Sequence, residues 1–266
     1  MHLDSCGVIT LMTDFGTNDH FVGVMKGVIL NINPKIQIVD ITHAVPPQDV
    51  HGAAFLIDST YRYFPDGTIH VVVVDPGVGS QRRVIVCQTD TAYFVCPDNG
   101  VLSYVISEDT VHRVVELGNP DYWLSEVSNT FHGRDIFAPA AAHLSRGISL
   151  SQYGDAVNNV VRLPVHIPQV TNTTIVGSVI WVDHFGNLIT NLTSDMLKSF
   201  GMDHGFVIRA GSAEISRLNR AYAESKIGEC LAIMGSSGYL EISVNHGSAA
   251  RVLGLKRNDA IEIHKI

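Results

Sequence analysis

The sequence predicts an α/β protein with a second, all-β part, and three observations predict it. Over the first half, short apolar runs alternate with stretches of helical apolar spacing. Four consecutive valines, Val71–Val74, have the pattern of a strand covered on both faces. Past a Pro-bearing, helix-poor stretch at Leu163–Asn172 the pattern turns to short strands separated by Gly- and Asn-rich turns. Together these predict an N-terminal Rossmann-like α/β domain with a mainly parallel sheet, then a small C-terminal β-barrel domain. The domains are expected at residues 1–165 and 172–266. A length of 266 residues accommodates both.

Taken in order, Val8–Met12 reads as a buried strand ending in a loop at Thr13–Gly16. Phe21–Leu30 has helical spacing, Ile36–Val39 is a short strand, and Val50–Tyr63 reads as a helix. Thr68–Val74 is the valine-rich strand, and Asp75–Ser80 is a loop by its Pro and Gly content. Val84–Thr89 and Ala92–Val95 are two strands around a tight turn at Thr89–Thr91. Arg134–Leu144 is expected to be a helix. In the second part, strands are expected at Ile175–Val182, Phe206–Arg209, Cys230–Met234, Tyr239–Val244 and Ala260–Ile263. Helices are expected at Ser194–Phe200 and Leu218–Glu224.

The composition, 45% hydrophobic and 17% charged, is that of a folded chain rather than a disordered one. A formal charge of −8 gives no general attraction for nucleic acid. Cys6, Cys87, Cys96 and Cys230 form no C-x-x-C pair, so neither a zinc nor a redox signature is present. No apolar run reaches membrane-spanning length and no secretion signal is legible, so a cytoplasmic protein without a membrane partner is expected. The phosphate-binding motifs G-x-x-x-x-G-K-[ST] and G-x-G-x-x-G are absent, and no clustered Cys/His set supports a metal. No cofactor is expected.

Ligands of open parallel sheets bind beyond the carboxyl ends of strands, and two carboxylates stand there. Asp14 follows the first strand, where it can accept two hydrogen bonds from a ribose diol or serve as a turn or cap residue. Asp75 follows the valine strand, where it can act as a general base or as a turn former. Arg82 and Arg83 come within a few residues, and an arginine beside a carboxylate keeps it ionised. His132 sits among Phe131, Gly133, Arg134 and Asp135 and is either a site histidine or a capping or core one. Asp183–Asn187 interrupts a β segment. Phe185 offers a stacking face, Gly186 close backbone approach, and Asn187 both donor and acceptor for a heterocycle. A hairpin turn explains the same residues. Gly235–Glu241, which includes Ser236 and Tyr239, is likewise a binding loop or a turn. Asp14-Phe15-Gly16 also occurs in protein kinases, but here it follows the first strand with no Gly-rich phosphate loop before it, and that reading is rejected.

Seven segments, in order along nearly the whole chain, resemble one family. They are Ile9–Gly16, Asp40–Pro46, Asp75–Gly79, Pro97–Gly100, Thr130–Pro139, Phe185–Asn191 and Gly238–Ile242. The family is that of the S-adenosylmethionine hydroxide adenosyltransferases, relatives of the fluorinase and chlorinase. The resemblance implies hydrolysis of S-adenosylmethionine (SAM) to adenosine and methionine. It also implies a homotrimer, with sites between one subunit's N-terminal domain and a neighbour's C-terminal domain. The family's catalytic Asp-Arg-His set falls on Asp75, Arg82 and His132, and its ribose-binding aspartate on Asp14. Its C-terminal nucleoside contacts fall on Asp183, Phe185, Asn187 and the Ser236–His246 segment, within which Ser236, Tyr239, Glu241 and Val244 are the expected binding residues. Where the halogenases carry a Tyr after the strand this chain has Asp75, and where they carry a halide-binding Ser it has Ala141. Both differences favour water over halide. A halide-dependent SAM transferase and a non-catalytic adenosine- or SAM-binding module are the rival expectations.

Overall fold

The structure, a computed structural model, describes residues 3–164, 167–202 and 205–266. The chain divides into two compact units, Met1–Leu163 and Pro164–Ile266. Val165 and His166, which the sequence reading assigns to the linker, lie outside the described residues.

Unit 1 is built on a six-stranded sheet of β1 (Val8–Thr13), β2 (Gln37–Thr42), β3 (Thr68–Val73), β4 (Val84–Thr89), β5 (Ala92–Pro97) and β6 (Val111–Glu116), in the order β2-β1-β3-β5-β4-β6. The first four strands in that order run parallel, and β4 and β6 are added antiparallel at one side. The period-2 alternation of a strand explains why the valine run is apolar throughout. Ile69, Val71 and Val73 join one apolar cluster, shared with Met25 and Ile29 of α1 (Phe21–Ile32). Val72 and Val74 join the other, shared with Ala53 and Ile57 of α2 (Val50–Tyr61). A short α3 (Val105–Glu108) contributes Val105 to the second cluster. Each such buried aliphatic side chain contributes roughly 1.5–3 kcal/mol. Cys87 and Cys96 are buried free thiols in this layer, and burial pushes Cys87 up to about 12, so neither presents a thiolate.

Two departures of unit 1 from the sequence reading and one buried carboxyl stand out. β6 was not foreseen: it is a half-exposed edge strand in which His112 and Arg113 face solvent, so it lacks the apolar run of its neighbours. The expected Arg134–Leu144 helix begins instead as a π-helical turn, Gly133–Phe137, which passes into α4 (Ala138–Leu144). Such single π turns often mark functional sites. Finally, α2 carries Asp58 in its buried face. Arg62 approaches no closer than 4.0 Å, and Asp58 Oδ1 has no hydrogen-bond donor. Burial, reinforced by Glu108, raises the Asp58 carboxyl to about 6. The folded state therefore binds this proton more tightly than the unfolded chain, whose value is near 3.8. The stability it lends is complete below pH 3.8 and is lost as pH rises through 6. Asp58→Asn is expected to stabilise unit 1 by about 1–2 kcal/mol at pH 7, with the gain vanishing below pH 4, measured by chemical denaturation across that range.

Unit 2 is a nearly closed barrel of β7 (Gln169–Val170), β8 (Thr174–Val182), β9 (Leu188–Thr193), β10 (Phe206–Ala210), β11 (Ala213–Ile215), β12 (Leu218–Asn219), β13 (Cys230–Met234), β14 (Tyr239–Val244) and β15 (Ala260–Lys265). The strand order is β11-β10-β15-β8-β9-β14-β13-β12, with β7 on β8. The long β8 serves both halves. Its first part pairs with β15 and its last part with β9, across an irregularity between Val179 and Trp181. α5 (Ser194–Phe200) forms as expected, capped by the Thr193 hydroxyl and closed by Gly201 in the left-handed region. The helix expected at Leu218–Glu224 does not form. Leu218–Asn219 is a strand on β13, and Tyr222–Glu224 is a 3₁₀ turn. The side chains of Asn219 and Glu224 are spent on local bonds to Ser225 Oγ and to the Arg220 N–H, which compete with helix hydrogen bonds. A short helix not foreseen, α6 (Ala249–Leu253), follows the Ser248 cap. No helix among the described residues is long and apolar enough to cross a membrane.

Candidate active site

A cavity of about 410 Å³ opens at the carboxyl ends of β1 and β3, where a parallel sheet places its ligands. Asp14, Gln48, Asp75 and His132 line it, with Phe15, Phe21 and Phe131 as its apolar part. Phe131 packs edge to face on both Phe15 and Phe21, which are tilted against each other, with centroids 5.1–5.8 Å apart, and Arg134 lies over Phe131.

Asp75, Arg82 and His132 come together as one hydrogen-bonded unit. Arg82 Nε donates to both Asp75 oxygens at 3.0 Å, and Nη2 donates to Oδ2 at 2.5 Å. The same Nη2 is 2.7 Å from His132 Nδ1. A guanidinium has no acceptor, so His132 Nδ1 must present its lone pair and the ring proton must sit on Nε2. The imidazole is therefore neutral. Burial, with the Arg82 charge beside it, holds it below its usual value, against the pull of Asp75, Asp135 and a hydrogen bond with the Ser128 backbone. The side chains of Asp75 and Arg82 are only 5% and 11% exposed, so removing either partner leaves a buried charge unpaired, which costs far more than breaking a surface salt bridge. Asp75 and His132 line the cavity, whereas Arg82 stands behind them.

Two neighbours explain why Arg82 and not Arg83 belongs here. Adjacent residues entering β4 point to opposite sides. Arg83 turns away to the buried Asp98 at 2.5 Å and to the Asn159 carbonyl at 2.6 Å, tying remote loops together. On its other side His132 hydrogen-bonds the Ser128 backbone, and the fully buried Asp135 accepts from the Ser128 N–H and from Arg134 Nε.

Asp14 Oδ2 accepts the backbone N–H of Gln48 at 2.7 Å. Gln48 has φ 65°, a left-handed backbone uncommon outside glycine, which the sequence reading missed. The one available signal was its place in the Pro46–Asp49 loop after β2, the same strand-end position as Asp14 and Asp75. Ala141, by contrast, is fully buried in the core of unit 1 and does not line the cavity, so the distinction from a halide site rests on Asp75.

In unit 2, Asp183, Phe185 and Asn187 share one turn between β8 and β9. Asp183 Oδ1 accepts the N–H groups of Phe185 and Asn187 at 2.9 and 2.8 Å, and Oδ2 accepts from Asn187 Nδ2. The carboxylate thus shapes the turn and presents Phe185, 73% exposed, at its tip. Gly186 is required there: its φ is 85°, and a Cβ would meet Ser248 Oγ at 2.0 Å. Glu241 is buried on β14 and accepts from Tyr222 Oη and Ser243 Oγ at 2.7 and 2.6 Å. Ser236 is exposed and Tyr239 half-buried, while the Val244 side chain belongs to the apolar core of the barrel.

Comparison with known proteins places this geometry in a family. The family model for the SAM hydroxide adenosyltransferase N-terminal domain matches residues 9–154, and that for the C-terminal domain matches residues 177–262. The chain is 36% identical to an (R)-S-adenosyl-L-methionine hydrolase of Salinispora arenicola, over 96% of this chain and 97% of that protein. It is 28% identical to a fluorinase of Nocardia brasiliensis, over 96% of each. The crystal structure of an uncharacterized conserved protein from Thermotoga maritima superposes with a TM-score of 0.91 at 41% identity, covering 97% of this chain and all of that one. The chain belongs to the SAM hydroxide adenosyltransferase family.

Proposed function

We propose that this protein hydrolyses SAM at C5′ to give adenosine and L-methionine. The observation that carries the reading is a carboxylate, Asp75, set at a strand-end cavity and fixed in direction by a buried arginine. In the reaction the oxygen of water bonds to C5′ as the C5′–S bond breaks, and the bonding pair goes to sulfur. The sulfonium thereby leaves as a neutral thioether, so no acid is needed at the leaving group. The difficulty lies in preparing and aligning the oxygen nucleophile.

Asp75 suits that task because a carboxylate retains acceptor sites after Arg82 has taken its share. It accepts a hydrogen bond, and then the proton, from the attacking water. His132 presents its Nδ1 lone pair to Arg82 and holds the guanidinium in place, and it does not act as the base. Arg82, behind the wall, fixes both. Asp14 takes the ribose diol, and the phenylalanine cluster gives the reacting carbon an apolar surround in which the merging of opposite charges is favoured.

The residues Asp183, Phe185, Asn187, Ser236, Tyr239 and Glu241 are proposed to bind the nucleoside, Phe185 by stacking. Val244, with its side chain in the core, is proposed to set the end of β14 rather than to touch the base. The proposed assembly is a homotrimer, which the family resemblance supports and whose mass in solution is three times 28.9 kDa.

The test is to size the protein by light scattering and then incubate it with SAM, with and without chloride, resolving the products by chromatography. Adenosine and methionine in equal amounts, independent of chloride, are expected. A 5′-chloro nucleoside identifies a halide transferase, intact SAM with bound adenosine a binding module, and free adenine a nucleoside hydrolase. Any of these overturns the reading.

A further inference from the structure

The Asp40–Pro46 segment supplies no residue to the chemistry above except by way of the fold, yet its polar side chains converge on the loop that carries Asp14. His43 is 6% exposed and Thr13 not at all. Thr13 Oγ1 is 2.9 Å from His43 Nδ1 and accepts the N–H of Phe15 at 3.2 Å. On the other side of the ring, His43 Nε2 lies 3.1 Å from Asp40 Oδ1, within ion-pair range though outside hydrogen-bond geometry. Asp40 Oδ2 is in turn held by Lys26 Nζ at 2.6 Å. The nitrogen nearer a carboxylate bears the proton, so the proton sits on Nε2 and Nδ1 accepts the Thr13 hydroxyl. The main chain repeats the grip: the His43 carbonyl accepts the Gly16 N–H at 2.7 Å.

Both ends of the Thr13–Gly16 turn are thus tied to one histidine. The two residues between them, Asp14 and Phe15, line the cavity, and Gly16 closes the turn with φ 69°. A neighbouring loop restrains Asp14 from outside the turn, through Gln48 N–H. β1 and β2 shift register between Leu11 and Met12, and β1 stays paired with β3 as far as Thr13, so the sheet ladder ends at Thr13 and the turn beyond it is held by side chains and loop contacts.

We propose that His43 is a positioning residue for nucleoside binding, which holds Asp14 and Phe15 in their binding orientation through the Thr13 hydroxyl. It touches no substrate. The inference rests on Asp14 being the ribose-binding carboxylate. Losing one buried hydrogen bond at such a turn misdirects the ligand-binding carboxylate without moving Asp75, which is anchored by Arg82.

The test compares His43→Leu, His43→Asn and Thr13→Val with the wild type, by steady-state kinetics with SAM and by calorimetric titration with adenosine. His43→Leu and Thr13→Val are expected to raise KM and the adenosine Kd about tenfold, with kcat within about threefold. His43→Asn, whose amide oxygen can take the place of Nδ1, is expected to stay within about threefold of wild type in all three. Thr13→Val keeps the shape of the residue and serves if His43→Leu does not fold. Wild-type KM and Kd in Thr13→Val overturn the proposal, as does a fall in kcat that His43→Asn does not restore. A wild-type protein that binds no adenosine overturns the parent reading together with this one, whereas normal binding by every variant overturns this one alone.

Discussion

Asp75→Asn is expected to lower kcat for SAM by roughly 10²–10⁴-fold while leaving adenosine affinity within a few-fold. The substitution is isosteric, so the amide oxygen still accepts from Arg82 and the cavity keeps its shape, although the amide nitrogen cannot accept in place of Oδ2. What disappears is the capacity to take the proton from water. The split matters: a variant that loses binding and turnover together has lost its fold or its cavity, not its base. Single-turnover rates with saturating SAM, beside calorimetric titration with adenosine, measure the two halves separately. A rate equal to wild type removes Asp75 from the chemistry.

Arg82→Met should be the most damaging single change in unit 1. It withdraws three hydrogen bonds from Asp75 and the one to His132 Nδ1, and it leaves a carboxylate that is 5% exposed without a counter-charge. Removing one partner of a buried ion pair costs about 3–5 kcal/mol, which in a unit of this size lowers the melting temperature by roughly 10 °C. Turnover should fall at least as far as in Asp75→Asn, because both cavity-lining groups lose their direction. Arg82→Lys restores only part of either quantity, since an ammonium cannot reproduce the fork that spans Asp75 and His132. Thermal melts and kcat for the two variants check this. A melting temperature unchanged in Arg82→Met contradicts the buried geometry.

Much of this was legible in the residues themselves, for identifiable reasons. The valine run announces β3 because a strand buried on both faces must be apolar at every position. Asp14 and Asp75 announce themselves because polar side chains directly after such strands have one place to go, the sheet's carboxyl edge. What sequence could not supply was direction. It left Arg82 and Arg83 as neighbours of equal standing, and only the entry into β4 separates the one that holds Asp75 from the one that braces Asp98. The resemblance put Arg82 in the catalytic set beside Asp75 and His132, and of the three it alone stands behind the cavity wall. Ala141 looked informative by register, yet it lies in the core. Gln48 and His43 act through a backbone N–H and a ring nitrogen across sequence gaps of 34 and 30 residues, and no local pattern encodes such contacts. Where local chemistry competes with periodicity the apolar pattern also misled, as at Leu218–Glu224, where Asn219 and Glu224 bond their own neighbourhood instead of a helix.

The chain's relatives include proteins named as SAM hydrolases and others named as fluorinases, so the decisive question is which atom reaches C5′. The most direct measurement is to run the reaction with SAM in ¹⁸O-enriched water, with chloride present, and to locate the label by mass spectrometry. Adenosine with ¹⁸O in its 5′-hydroxyl, unlabelled methionine and no halogenated nucleoside is the predicted result. Unlabelled adenosine, a 5′-chloro product or free adenine would contradict the assignment of Asp75 as the base that delivers water to SAM.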